Sequence, residues 1–218
     1  MSLHSLASRM AKHITEGTGM EPERVDRVRY GLEIILGTII KGTILLTAAH
    51  LLKILPQVST ALACGSLLRL VSGGAHCTGY LRCLTCGLVV YLSAGKAALY
   101  FENFLTSGQL ATILPPCFLA MALCACLWAP AEVPNRMMNF NETILFKSLT
   151  VVFLAAAMSV FFLLAGRVRL SFIMAGLLAL LAQTFSFSPP GYLVIGKIDT
   201  FLSNITLKKG GATNNAEN

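Results

Sequence analysis

The stretch "RLVSGGAHCTGYLRCLTC", Arg69 to Cys86, sets an imidazole and three thiols among glycines and arginines. A cysteine hydrolase needs a thiol and an imidazole within hydrogen-bond reach, the imidazole acting as base and the thiolate as nucleophile. His76 and Cys83 are the natural pair. Other chemistries compete. His76, Cys77, Cys83 and Cys86 are donors of the kind zinc takes, yet there is no second Cys-x-x-Cys and no His-x3-5-His partner. Cys83 and Cys86 have the spacing of a thiol–disulfide exchange pair. His76 could equally be a plain loop residue and Cys83 a packing thiol, or both could only line a passage.

Spacing sharpens the choice. Seven residues along an unbroken helix leave two side chains on nearly one face but about 10.5 Å apart along the axis. Both would lean toward the N-terminus and could not meet. A working pair therefore requires the chain to bend within "CTGYLR", with Gly79 as the pivot. Cys83 is then expected near the start of the next helix, where the helix N-terminus and Arg82 favour a thiolate.

The elements around this stretch read as membrane. Of 218 residues, 55% are hydrophobic and only 12% charged, against about 25% charged in soluble domains. Apolar runs of about 17 to 25 residues suffice to cross a bilayer as helices. Five such runs are present: 32–52, 84–101, 110–128, 145–165 and 170–187. A sixth, 54–71, opens with Pro56 and carries Gln57, Ser59, Thr60 and Ser66, so it either spans or re-enters. Before them, Leu3, Leu6, Met10 and Ile14 recur at helical spacing with Arg9 and Lys12 between, a pattern suited to an anionic membrane surface. The expected fold is an all-α integral membrane protein with about six transmembrane or membrane-embedded helices and an N-terminal amphipathic helix. The expected organisation is a cytoplasmic segment over 1–30, a membrane domain over 31–205 and a disordered polar tail over 206–218.

The net charge of +7 lacks the basic, aromatic-interleaved stripe of a nucleic-acid binder. It gathers instead in alternate connections, which places both termini and the Arg69–Cys86 stretch on the cytoplasmic side. Lys41 falls near the middle of the first run, on a face shared with Glu33, Gly37 and Thr38. A charge at that depth faces a partner or a wet cavity, so Lys41 is read either as lining a peptide path or as pairing with Glu33. Nothing marks a third catalytic member; Glu132 is a candidate only through its place in "WAPAEVPNR".

These residues resemble the accessory gene regulator B (AgrB) peptidases of bacterial peptide quorum sensing. The family's pattern of arginine, Gly-Gly, histidine and a cysteine seven positions on is matched by Arg69, Gly73, Gly74, His76 and Cys83, with Arg82 just before the cysteine. "WAPAEVPNR", Trp128 to Arg136, resembles the family's proline-containing loop ending in asparagine, here Asn135, although "NRMM" replaces the family's continuation "NKP". The resemblance implies a membrane cysteine endopeptidase with Cys83 as nucleophile and His76 as general base. It would remove the C-terminal tail of an AgrD-like precursor peptide through an acyl-enzyme thioester and so permit thiolactone or lactone closure. It also implies a homodimer in membrane lipid, at the cytoplasmic face of a bacterial cell membrane, without metal or organic cofactor. Arg69, Gly73, Gly74, Lys41 and Asn135 are the expected substrate contacts. The rival reading from another class is a non-enzymatic peptide transporter or channel.

Overall fold

The computed structural model of the chain describes residues 3–16, 21–75, 77–131 and 139–213. Among them every regular element is an α-helix, as expected for an all-α membrane protein. The chain divides into two compact units, Met1–Leu51 and Leu52–Asn218, so the first long apolar helix groups with the N-terminal segment.

In the first unit, α1 (Leu3–Thr15) packs on α2 (Pro22–Leu51). Ala7 and Ala11 of α1 are fully buried, while Leu6, Met10 and Ile14 stay exposed. The small residues allow close helix approach, and the larger apolar ones stay on the outside of the pair. Pro22 opens α2 at the first helical turn, where its missing N–H costs nothing. Arg29 bridges Asp26 at 2.8 Å and Glu33 at 3.2 Å, and His4 of α1 reaches the same Glu33 oxygen at 3.4 Å. Glu33 is thus engaged by Arg29 and His4; Lys41 lies eight residues further on, about 12 Å along the axis.

The second unit holds α3 (Leu55–Ser72), α4 (Tyr80–Glu102), α5 (Ser107–Trp128), α6 (Phe140–Leu164), α7 (Leu170–Ser186) and α8 (Pro189–Thr213). α7 is its centre: it packs against α3, α4, α5 and α8, and twelve of its seventeen residues are buried. Small residues permit this density. A Cβ on Gly95 of α4 would come 2.7 Å from Val58 Cγ2 of α3, and one on Gly176 of α7 would come 2.6 Å from Phe161 of α6. Close approach through glycine is how helices gain contact where lipid removes the usual hydrophobic drive.

The membrane-embedded helices differ in how far they could reach across a bilayer. Among the described residues four helices are long and apolar enough to cross a bilayer: α2, α4, α5 and α6. α7 and α8 pass the same test only as a pair, bent by 88°. At seventeen residues, α7 measures about 26 Å, short of a hydrocarbon core about 30 Å thick. α3 carries Gln57 and Arg69 and is not among the helices apolar enough to cross. α8 also runs through 206–213, the first part of the stretch expected to be a disordered tail.

Candidate active site

α3 stops at Ser72 because two glycines come next. Gly73 takes φ 67° and Gly74 φ 141°, backbone conformations that L side chains rarely adopt. Space is also short: a Cβ on Gly74 would meet Ser186 Oγ at 2.5 Å, and one on Gly73 would meet Ala131 Cβ at 3.2 Å. The Gly73 N–H donates to Arg69 O at 2.9 Å, closing the end of α3. These glycines make the turn and its close packing, the least specific of the roles open to them.

Arg69 and Gln183 hold the segment beyond the turn. Arg69 Nη2 donates to Ala75 O at 2.8 Å and to Gly74 O at 3.3 Å, and its Nη1 reaches Gln183 Oε1 at 3.4 Å. Gln183 Nε2, from buried α7, donates to Gly73 O at 2.6 Å and to Ser72 Oγ at 3.2 Å. The Ala75 N–H donates to Ser186 O at 3.0 Å, and the Ala131 N–H to Ser72 O at 2.8 Å. These bonds satisfy backbone carbonyls at the ends of α3 and α7, where a polar group left without a partner is costly.

The expected break is present. Residues 73–75 and 77–79 are non-helical, and α4 begins at Tyr80 with Gly79 as its N-cap at φ −96°, ψ 139°. Cys83 falls in the first turn, its N–H donating to Gly79 O at 2.9 Å, and its side chain is half-buried. The first turn of a helix carries partial positive charge from its unpaired N–H groups.

A second brace holds this turn. Thr78 Oγ1 donates to Asp199 Oδ2 at 2.8 Å and accepts from Arg82 Nη2 at 2.9 Å. Arg82 Nη1 donates to the backbone oxygen of Asp199 at 3.1 Å, and its Nε lies 3.3 Å from Asp199 Oδ1. Asp199 belongs to α8. The loop ahead of α4 and the residue preceding Cys83 are therefore tied to the same carboxylate.

The other thiols separate by environment. Cys77 is only 5% exposed. Burial pushes its thiol up to about 12, and the hydrogen bond with Cys86, whose Sγ lies 3.4 Å away, pushes in the same direction. Such a thiol stays protonated at neutral pH and makes a poor nucleophile. The sulfur hydrogen-bonded to Cys86 is that of Cys77.

His76 lies outside the described residues, as do Glu132 and Asn135. Position 76 is nonetheless bracketed by Ala75, held at both its N–H and its carbonyl, and by buried Cys77. Lys41 is half-buried on α2 of the first unit. Sequence reasoning missed Gln183, Ser186, Thr78 and Asp199. Gln183 had a readable signal, an amide near the end of an otherwise apolar helix, since polar groups at membrane depth are usually there for a purpose. Asp199 had the same one, a lone acid in "GYLVIGKIDTFL".

The profile of the family described as "Accessory gene regulator B" matches residues 7–187. Searches of curated proteins and of solved structures returned no match.

Proposed function

The chain belongs to the accessory gene regulator B family, and from that premise we propose that it is a membrane cysteine endopeptidase acting on an AgrD-like precursor. Membership supports a role in quorum-sensing peptide processing; the catalytic chemistry is our reading. The observation that carries it is the bend between α3 and α4, which removes the geometric objection to a His76–Cys83 pair and sets Cys83 at a helix start.

In the proposed reaction His76 takes the Cys83 proton, and the thiolate adds to the carbonyl carbon of the bond preceding the precursor's C-terminal tail. The carbon–nitrogen bond breaks, His76 delivers the proton to the departing amine, and the tail leaves. The remaining peptide is held as a thioester. A cysteine within that peptide displaces Cys83, forming a thiolactone and returning the enzyme thiol; a serine would give the lactone. Thioester exchange is nearly balanced in energy, and a tethered nucleophile gains a high effective molarity over water. Arg69, Gly73 and Gly74 serve by shaping the loop that carries His76, while Lys41 and Asn135 are proposed precursor contacts.

We place the site at the cytoplasmic face. Arg82 and Glu102 stand at the two ends of α4, twenty residues apart, or about 30 Å, the depth of a hydrocarbon core. The Arg82–Asp199 pair marks one boundary and the Glu102–Arg169 pair, bonded at 2.9 and 3.2 Å, the other. A homodimer in lipid is part of the same proposal.

The test is co-expression with an AgrD-like precursor bearing a central cysteine and an acidic tail. Cys83→Ala and Cys83→Ser should abolish tail release while precursor binding persists, and Cys86→Ala should keep most activity. Tail release that survives Cys83→Ala would sink the reading and favour a transporter; equal dependence on Cys86 would favour thiol redox chemistry.

A further inference from the structure

Three acidic residues stand among the described part of the second unit, and two have plain structural duties. Glu102 pairs with Arg169 beyond the far end of α4, and Glu142 closes the capping box that starts α6. Asp199 has neither duty. It sits ten residues into α8, with its side chain only 14% exposed, and points both carboxylate oxygens at the segment leading into Cys83. One oxygen takes the Thr78 hydroxyl, and the other faces the Arg82 guanidinium. Because Thr78 also accepts from Arg82, the three side chains form a closed ring across the start of α4. α8 lies beyond the stretch matched to the family profile, 7–187, so this carboxylate is supplied by a part of the chain that the match does not reach.

We propose that Asp199 is a positioning residue for the reaction: through Thr78 and Arg82 it locks the first turn of α4 and thereby holds Cys83 in register with the loop that carries His76. The inference rests on the endopeptidase reading above. The two ends of the loop are anchored separately. Its stem, 73–75, is tied to α3 and α7 through Arg69, Gln183 and Ser186. Its far end, Thr78 to Arg82, is tied to α8 through Asp199 alone among the described acids. A base and a nucleophile carried on opposite ends of one loop stay aligned only if both ends are fixed. Losing the second anchor lets the thiol drift while leaving precursor-binding surfaces in place. A carboxylate and guanidinium that are both largely screened from water also depend on one another, since removing either leaves its partner's charge uncompensated.

The test uses the full chain in lipid nanodiscs with an AgrD-like peptide carrying a central cysteine and an acidic tail, and reads kcat and KM for tail release. Misplacement by about 1 Å can cost on the order of 100-fold, so Asp199→Ala should lower kcat about 10- to 100-fold with KM changed less than about 2-fold. Asp199→Glu, which restores the carboxylate, should recover most of the loss. The losses in Arg82→Gln and Asp199→Asn should be strongly non-additive when combined, as expected for groups in one network. Wild-type kcat in Asp199→Ala overturns the proposal, as does full additivity in the double variant. Should Asp199→Ala fail to fold, Thr78→Val removes the bridging hydroxyl alone; it should lower kcat in the same way, and wild-type kcat there overturns the proposal too. Cys83→Ala separates the two layers. If it is dead while the Asp199 variants are normal, only the positioning role falls; if it is active, the enzyme reading falls first.

Discussion

At the scale of single residues, the cysteine and histidine positions between Arg69 and Cys86 are not equivalent. Cys77 is buried and its thiol is held up to about 12, whereas Cys83 is half-buried on the first turn of a helix. This difference fixes the sign of a pH effect. An unfolded cysteine gives up its proton at its ordinary value of 9.0 while folded Cys77 keeps its proton to about 12. Between those values the unfolded chain binds fewer protons, so stability falls as pH rises through that window, and Cys77 contributes no such dependence below it. Alkylation by iodoacetamide and then mass spectrometry should accordingly leave Cys77 unmodified at pH 7 to 8 in the folded protein and modify it readily once denatured. Fast labelling of native Cys77 at neutral pH would contradict the burial described for it.

At the scale of elements, α7 acts as the platform for the site. Its Gln183 amide spans Arg69, Ser72 and Gly73 at once. Gln183→Leu keeps volume and apolarity, so α7 should still form. The Gly73 carbonyl would keep only the Ser72 hydroxyl and Arg69 only its loop carbonyls, so each loses one partner, at about 1 kcal/mol per hydrogen bond. The expected outcome is unchanged helical circular dichroism, a lowered melting temperature and a fall in tail release. An unchanged melting temperature would show that the loop does not depend on this amide.

At the scale of the whole molecule, the second unit carries an ion pair at each end of α4. Arg82 and Asp199 mark the site end, and Glu102 and Arg169 mark the other. With the site end cytoplasmic, a membrane-impermeant maleimide should label Cys83 in inverted membrane vesicles and spare it in right-side-out ones. Labelling in the opposite orientation would reverse the topology and with it the compartment in which the precursor is cut.

By itself the sequence determined the all-α membrane character, the family and the break ahead of Cys83. Apolar runs and low charge are local quantities, and helical rise makes a seven-residue separation too long for a straight helix. It also singled out Arg69, Gly73 and Gly74, which the structure sets at the end of α3 with the guanidinium bound to loop carbonyls and the glycines at positive φ. Only the tertiary structure decided that four of the six apolar segments are long spanning helices while α3 falls short and α7 bends sharply into α8, because burial and bending depend on neighbours that a hydropathy run does not contain. Only it joined Asp199 to Thr78 and Arg82, and Gln183 to Gly73, across more than a hundred residues. Such partners leave no periodicity to read: a hydrogen bond is set by where two distant helices pack, and that is fixed by the side chains filling the space between them.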